Sequence, residues 1–212
     1  MRRLFDIVCA AIGLVVLFPL FCVIGLAIIL DDGEPIFYSH RRVGKHFQCF
    51  GLLKFRSMAP NAAGAGGALT VANDPRVTRV GRILRKYKLD ELPQLLNVVN
   101  GDLALVGARP EVPHYVDMFQ TQYSEILRDR PGITDPASLA FRHEEEMLNA
   151  ADSEEQYISD ILPRKLELSL DYARRRNFSS DLRILVRTFI GICWTPRNVT
   201  SSVRRRVAPH SG

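Results

Sequence analysis

Two adjacent carboxylates, Asp90 and Glu91, sit in the run Leu84-Arg85-Lys86-Tyr87-Lys88-Leu89-Asp90-Glu91-Leu92-Pro93-Gln94, with Arg82 just before it and Arg109 beyond it. Carboxylates serve as nucleophiles or metal ligands, and arginines grip phosphate oxygens with paired hydrogen bonds. An acidic pair among Arg82, Arg85, Lys86, Lys88 and Arg109 is therefore a candidate site for a pyrophosphate and a divalent cation. Each residue alone has a plainer reading: Asp90 as a helix cap, Glu91 as a solvated first-turn acid, the cations as an exposed face.

The elements around the pair follow from spacing. Pro93 fits the first turn of a helix, where a missing N–H costs nothing, and this puts Asp90 at or beside the N-cap of a helix over 92–99. In that helix Leu92, Leu95, Leu96 and Val99 form the apolar stripe, while Asp90, Glu91, Gln94 and Asn97 share the other face. The helix start would itself attract phosphate.

Residues 36–42 and 47–55 are aromatic and β-branched around Val43-Gly44-Lys45, which predicts a β-hairpin. Residues 79–87 predict a helix, 103–106 a short strand, and 114–127 a further helix before the Arg130-Pro131-Gly132 turn. The small-residue stretch 60–68 lacks the lysine and following helix of a phosphate loop and reads as a connector. Residues 144–173 carry leucines at helical spacing. Leu182, Leu185, Val186, Phe189 and Cys193 set an apolar face opposite Arg183 and Arg187, with Trp194 at its end. That face suits either the core or a bilayer interface.

No charge interrupts the segment from Ile7 to Leu30, which as a helix would be about 36 Å long, enough to cross a bilayer. Crossing is the plain reading. Arg2 and Arg3 would then keep the N-terminus cytoplasmic and export everything after Asp31. A cleaved signal peptide lacks a small-x-small site before Asp31-Asp32. Pro19 removes the hydrogen bond to the Val15 carbonyl, so the helix should bend there, and a re-entrant course is the alternative.

The sequence thus divides into a membrane-inserted segment at 1–32, a domain at 33–200 and a basic tail at 201–212. The expected fold class is α+β: a small, mostly helical domain with a hairpin, and an interfacial helix near 181–195. At 212 residues and net charge +5 the chain has room for one core and favours anionic partners. Four cysteines without a C-x-x-C pair suggest neither zinc nor a disulfide framework. No RNA-binding aromatic motif or recognition helix is present, so nucleic acid is not an expected partner.

Four segments carry a resemblance. They are Lys54-Phe55-Arg56-Ser57-Met58, the run from Leu84 continued to Val98, the run Gly101-Asp102-Leu103-Ala104-Leu105-Val106-Gly107-Ala108-Arg109-Pro110-Glu111, and Arg130-Pro131-Gly132-Ile133-Thr134. In this order and spacing the chain resembles the bacterial sugar transferase family, the monotopic phosphoglycosyl transferases, over nearly its whole length. The resemblance implies a minimal family member with a re-entrant helix broken at Phe18-Pro19 and a catalytic domain facing the cytoplasm from the bacterial inner membrane. It implies transfer of a phosphosugar from a UDP-sugar to polyprenyl (undecaprenyl) phosphate, an early step of surface polysaccharide synthesis. In that reading Asp90 is the nucleophile, Asp90 and Glu91 hold Mg²⁺, and Lys54, Arg56, Arg85, Arg109 and Arg130 bind substrate phosphate. A homo-oligomer stays open. The other reading is a non-catalytic, membrane-anchored basic binding or scaffold protein.

The chain departs from family habit at four places. Phe18-Pro19 replaces Ser-Pro, Tyr87-Lys88 replaces Thr-Ser, and Ala108 stands where Gly-Pro-Arg-Pro has proline. Asp135-Pro136-Ala137-Ser138 replaces Gly-x-x-Gln, so the sugar is left unnamed.

Overall fold

A computed structural model of the chain describes residues 2–59, 74–142, 144–148 and 152–193. The connector at 60–68, Trp194 and the basic tail lie outside them.

The apolar N-terminal segment forms α1 (Arg2–Asp32), one continuous helix with Pro19 inside it. The interruption expected at Phe18-Pro19 does not occur. A proline removes a single hydrogen bond, and Leu20 and Phe21 beside it are held by packing against Ile24, Ile28, Phe55 and Leu84. By length and composition α1 could cross a membrane. Yet it lies along the domain for most of its course. Near its start Ala10 is fully buried with Val98 and Leu103, and near its end Ile24 and Ile28 are buried against Phe55 and Leu84.

Both ends are also fastened by arginines. Arg3 donates to the carbonyls of Val98 (2.6 Å) and Leu103 (3.0 Å). Arg56 donates to those of Asp32 (2.9 Å), Gly33 (2.6 Å) and Glu34 (2.6 Å), where the last turn of α1 has carbonyls without helical partners. The outward side of α1, including Leu4, Val15, Val16, Phe18, Val23 and Leu30, is exposed apolar surface.

The hairpin is β1 (Phe37–Val43) and β2 (Cys49–Phe55), paired antiparallel with Tyr38 opposite Lys54 and His40 opposite Leu52. Its turn is longer than Val43-Gly44-Lys45: a 3₁₀ turn at Lys45–Phe47 intervenes, with His46 and Phe47 left-handed. After α2 (Arg79–Lys86) and a 3₁₀ turn at Leu89–Glu91 comes α3 (Gln94–Asn100). The strand β3 (Ala104–Val106) pairs in parallel with β4 (Gly132–Thr134), in the segment read as a turn.

The single helix expected over 114–127 is two, α4 (Pro113–Met118) and α5 (Gln120–Ile126), broken at Phe119. Short helices α6 (Pro136–Ala140), α7 (Glu144–Met147) and α8 (Ser153–Gln156) lead through a π-helical turn at Tyr157–Ile161 into α9 (Leu162–Arg175). The last described element is α10 (Phe178–Cys193). The fold is α+β as expected.

One expected face is corrected, and one left open is resolved. In α3 the buried residues are Gln94, Asn97 and Val98, while Leu96 and Val99 are exposed. Asn97 explains the inversion, since its side chain accepts from the Leu53 N–H (2.9 Å) and donates to the Gly51 carbonyl (2.8 Å), closing the free edge of β2. In α10 the core takes Ile184 and Asp181, leaving Leu182, Val186, Phe189 and Ile190 exposed. Of the apolar face read from the sequence, Leu185 packs on the core while Leu182, Val186 and Phe189 face outward, which agrees with the interfacial alternative.

Candidate active site

The acidic pair sits in the 3₁₀ turn between α2 and α3, not at the N-cap of α3. Lys88 adopts a left-handed conformation (φ 56°), and i→i+3 bonds such as Leu92 N–H to Leu89 carbonyl (3.2 Å) tighten the chain. Pro93 has no N–H to extend an α-helix backwards, so the pair precedes the helix proper. Asp90 is buried, at 4 % exposure, and caps nothing.

The two carboxylates have different surroundings. Glu91 accepts from Arg109 through both terminal nitrogens, one of them at 2.9 Å, and from Lys54 Nζ at 3.2 Å. Burial acts to raise its carboxyl, but the Arg109 guanidinium and the Lys54 ammonium outweigh this and hold it well below the usual carboxylate range. Asp90 Oδ1 is buried with no hydrogen-bond partner. Burial raises the Asp90 carboxyl against the pull of Lys54, Lys88 and Arg85. One acid is therefore fixed and ionised, and its neighbour is a base with an unanswered oxygen among cations.

Each cation reaches the pair from a separate element. Lys54 projects from β2, and burial lowers its ammonium even beside Glu91 and Asp90. Arg109 follows β3, whose exit is set by two glycines. A Cβ on Gly132 would lie 2.1 Å from the Gly107 nitrogen, and one on Gly107 would lie 2.7 Å from the Arg130 carbonyl oxygen. Only that close backbone approach lets the Gly107-Ala108-Arg109 and Arg130-Pro131-Gly132 segments stack. Arg85, half-buried at the end of α2, contributes to the field at Asp90.

The structure brings Lys54, Arg85, Asp90, Glu91 and Arg109 together. It does not bring Arg56 or Arg130 to them. The Arg56 guanidinium is committed to the carbonyls ending α1 and to Asp32 at 3.5 Å. Arg130 is exposed and donates to the Gly101 carbonyl (2.8 Å), at the far end of α3 from Asp90. Arg82 and Lys86 point outward.

Sequence reading missed a second group. Tyr38, His40 and Arg42 alternate along β1 on the face that carries Lys54, so the hairpin register was the signal that could have found them. Burial, with Arg42 and Lys54 nearby, pushes His40 down to about 4, leaving a neutral imidazole at the edge of the site. Arg42 pairs with Glu111 (2.5 Å), which also accepts from the Tyr157 hydroxyl (2.7 Å). Lys165 bridges Tyr157 (3.1 Å) and Glu144 (2.8 Å). This chain braces the segment that carries Arg109.

Residues 1–195 match the family model described as bacterial sugar transferase. The chain is 36% identical over 174 residues to the exopolysaccharide production protein ExoY of Rhizobium meliloti, covering 75% of this chain and 77% of that protein. It is 35% identical over 203 residues to the uncharacterized sugar transferase EpsL of Bacillus subtilis, covering 95% and 88%. With the UDP-glucose:undecaprenyl-phosphate glucose-1-phosphate transferase of Caulobacter vibrioides it shares 34% identity over 191 residues, covering 88% and 67%. Since the match takes in α1, the acidic pair and the paired strands behind Arg109 in one continuous alignment, the chain belongs to the bacterial sugar transferase family.

Proposed function

We propose that the protein transfers a phosphosugar from a UDP-sugar to a polyprenyl phosphate in the membrane, releasing UMP. The observation that carries this reading is the asymmetry of the acidic pair: Asp90 Oδ1 is buried and unpartnered, while Glu91 is saturated by Arg109 and Lys54. Such an arrangement suits attack by Asp90 on the donor's β-phosphorus. The bond from that phosphorus to the bridging oxygen breaks, UMP leaves with the electron pair, and an acyl phosphate remains on Asp90. An oxygen of the polyprenyl phosphate then attacks the same phosphorus and returns Asp90 as a carboxylate. Arg85 and Arg109 offset the charge that spreads over the phosphoryl oxygens.

The residues present fit a magnesium ion shared with the donor. Among the described residues no three His, Cys, Asp or Glu side chains form an all-protein cage. Magnesium accepts one or two carboxylates when substrate phosphates and water complete its shell, and the second oxygen of the Asp90 carboxylate, the one not used in the attack, would be the protein ligand. Glu91 would join it only by releasing Arg109 or Lys54. When bound, the ion neutralises phosphoryl charge.

The membrane course belongs to the same reading. Both ends of the unbroken α1 are fastened to one domain, which supports a one-sided course in which the helix enters a single leaflet along its outward side and the N-terminus and the domain stay together on the cytoplasmic side of the inner membrane. The outward apolar sides of α1 and α10 then meet lipid. The test is UMP release from a panel of UDP-sugars in detergent, followed by intact mass of the enzyme with its best donor and no lipid acceptor. A protein heavier by one phosphosugar, with about one UMP released per site, is the expected result. Turnover with lipid but without the adduct would replace the covalent route by direct attack of the lipid phosphate.

A further inference from the structure

Helix α2 carries more charge than the acidic pair uses. From Arg79 to Lys88 there are five cations and no acid. The inner side of the helix, Gly81 and Leu84 with the partly buried Val80, packs beside Ile24 and Ile28 of α1. Successive residues are turned by about 100° in an α-helix, so Arg79, Arg82 and Lys86 share the opposite side. All three are exposed.

Between that basic strip and Val80 lie Ile83 and Tyr87, 58% and 44% exposed. Moving around α2 from α1 one therefore meets first an isoleucine and a phenol ring, then an ammonium and two guanidinium groups. Lys86 Nζ lies 5.3 Å from the centre of the Tyr87 ring. This order matches the layers of a bilayer surface, where apolar groups and tyrosine rings enter the acyl boundary and cations meet the headgroups. The height of α2 is fixed as well. Asp31, the first acid after the apolar stretch of α1, accepts from the Val80 N–H at 2.9 Å, so α2 starts where that stretch ends.

We propose that the outer face of α2, with Arg79, Arg82 and Lys86 around Ile83 and Tyr87, binds anionic phospholipid headgroups. This rests on the membrane course of α1 argued above, and it gives the domain a second hold on the bilayer, separate from the acidic pair. A cation near an anionic lipid surface contributes about fivefold in affinity. The three together supply a strong preference for acidic lipid.

The test uses the full chain with benzoylphenylalanine in place of Ile83, in nanodiscs of phosphatidylcholine alone or mixed equally with phosphatidylglycerol. Irradiation is expected to yield phospholipid adducts, at least fivefold more in the mixed discs. The triple substitution Arg79→Gln, Arg82→Gln and Lys86→Gln should remove that excess while leaving the donor KM in detergent unchanged. Equal adduct yields in the two compositions, or no phospholipid adduct in either, would overturn the proposal. A raised donor KM in the triple variant would also overturn it, because the cations would then serve the nucleotide. Adducts form without turnover, so UMP release by the unsubstituted enzyme judges the transfer reading independently.

Discussion

Arg109 holds Glu91 through both of its terminal nitrogens, and Asp90, one residue earlier, is left with a buried oxygen that nothing answers. Lysine in place of Arg109 keeps the charge but cannot span two carboxylate oxygens. Arg109→Lys is expected to lower kcat/KM for UMP release about a hundredfold, the scale of one lost charge-stabilising donor. A rate within a few-fold of the unsubstituted enzyme would show that charge alone suffices there.

Asp90→Asn should abolish both adduct and turnover, whereas Glu91→Gln should leave a slow first half-reaction detectable as UMP released without lipid. The same Asp90 variant should unfold at a higher temperature than the parent at neutral pH. Burial raises the Asp90 carboxyl, so its ionised form costs the folded state, and asparagine removes that cost. The difference in Tm should shrink as pH falls through the raised folded value and the parent's carboxyl takes up its proton. A lower Tm for the variant would assign Asp90 a structural bond that it lacks here.

The pH profile of kcat/KM should be narrower than free side chains would give. On the proposed route Asp90 attacks in its ionised form, and its raised carboxyl would move the acid limb above the ordinary aspartate value of 3.8. Lys54 must be charged beside Glu91, and burial moves the alkaline limb below the ordinary lysine value of 10.5. Lys54→Arg should extend activity to higher pH. An alkaline limb that stays in place would belong to another group.

Asn97→Leu tests the closure of the hairpin edge. It strands the Leu53 N–H and the Gly51 carbonyl, and also the contact with Asp102 at 3.0 Å. The expected cost is about 2–4 kcal/mol, a fall in Tm of roughly 4–16 °C. Calorimetry would show it, and an unchanged Tm would mean that water replaces the amide.

Single cysteines placed near each end of α1 should react alike with a membrane-impermeant reagent in intact cells, both being protected until the cells are opened. Opposite accessibility would refute the one-sided course. Pro19→Ala restores one hydrogen bond, to the Val15 carbonyl, in a helix that is already continuous and fastened at both ends, so the two cysteines should keep their shared protection; split accessibility in this variant would show that the proline sets the course of α1.

The hairpin, α2, β3 and α10 were legible because alternation and helical spacing survive in single segments. The faces were harder to read. Leucines and valines on α3 mark a buried stripe in a water-soluble helix, but here Gln94 and Asn97 are inside and Leu96 and Val99 outside. The break at Phe119 has no glycine or proline to announce it. The strand β4 is three residues long and depends on a parallel partner far earlier in the chain. Arg56 and Arg130 looked like phosphate ligands because a guanidinium suits a phosphate and a row of helix-end carbonyls equally. The acidic pair was legible as adjacent carboxylates among cations, but its two unequal environments depend on Lys54 and Arg109 arriving from distant segments.

Arg3 and Arg56 fasten α1 near its two ends, and this governs how the domain can move as well as where it sits. A domain hung from one end of a helix swivels, and its site samples many tilts. One fastened at both ends has no such joint. On the proposed course, with α1 in the bilayer, Asp90 would keep a constant bearing toward the leaflet, and a polyprenyl phosphate would reach it by lateral diffusion alone. The encounter then becomes a search in a plane, set by how crowded the leaflet is with acceptor.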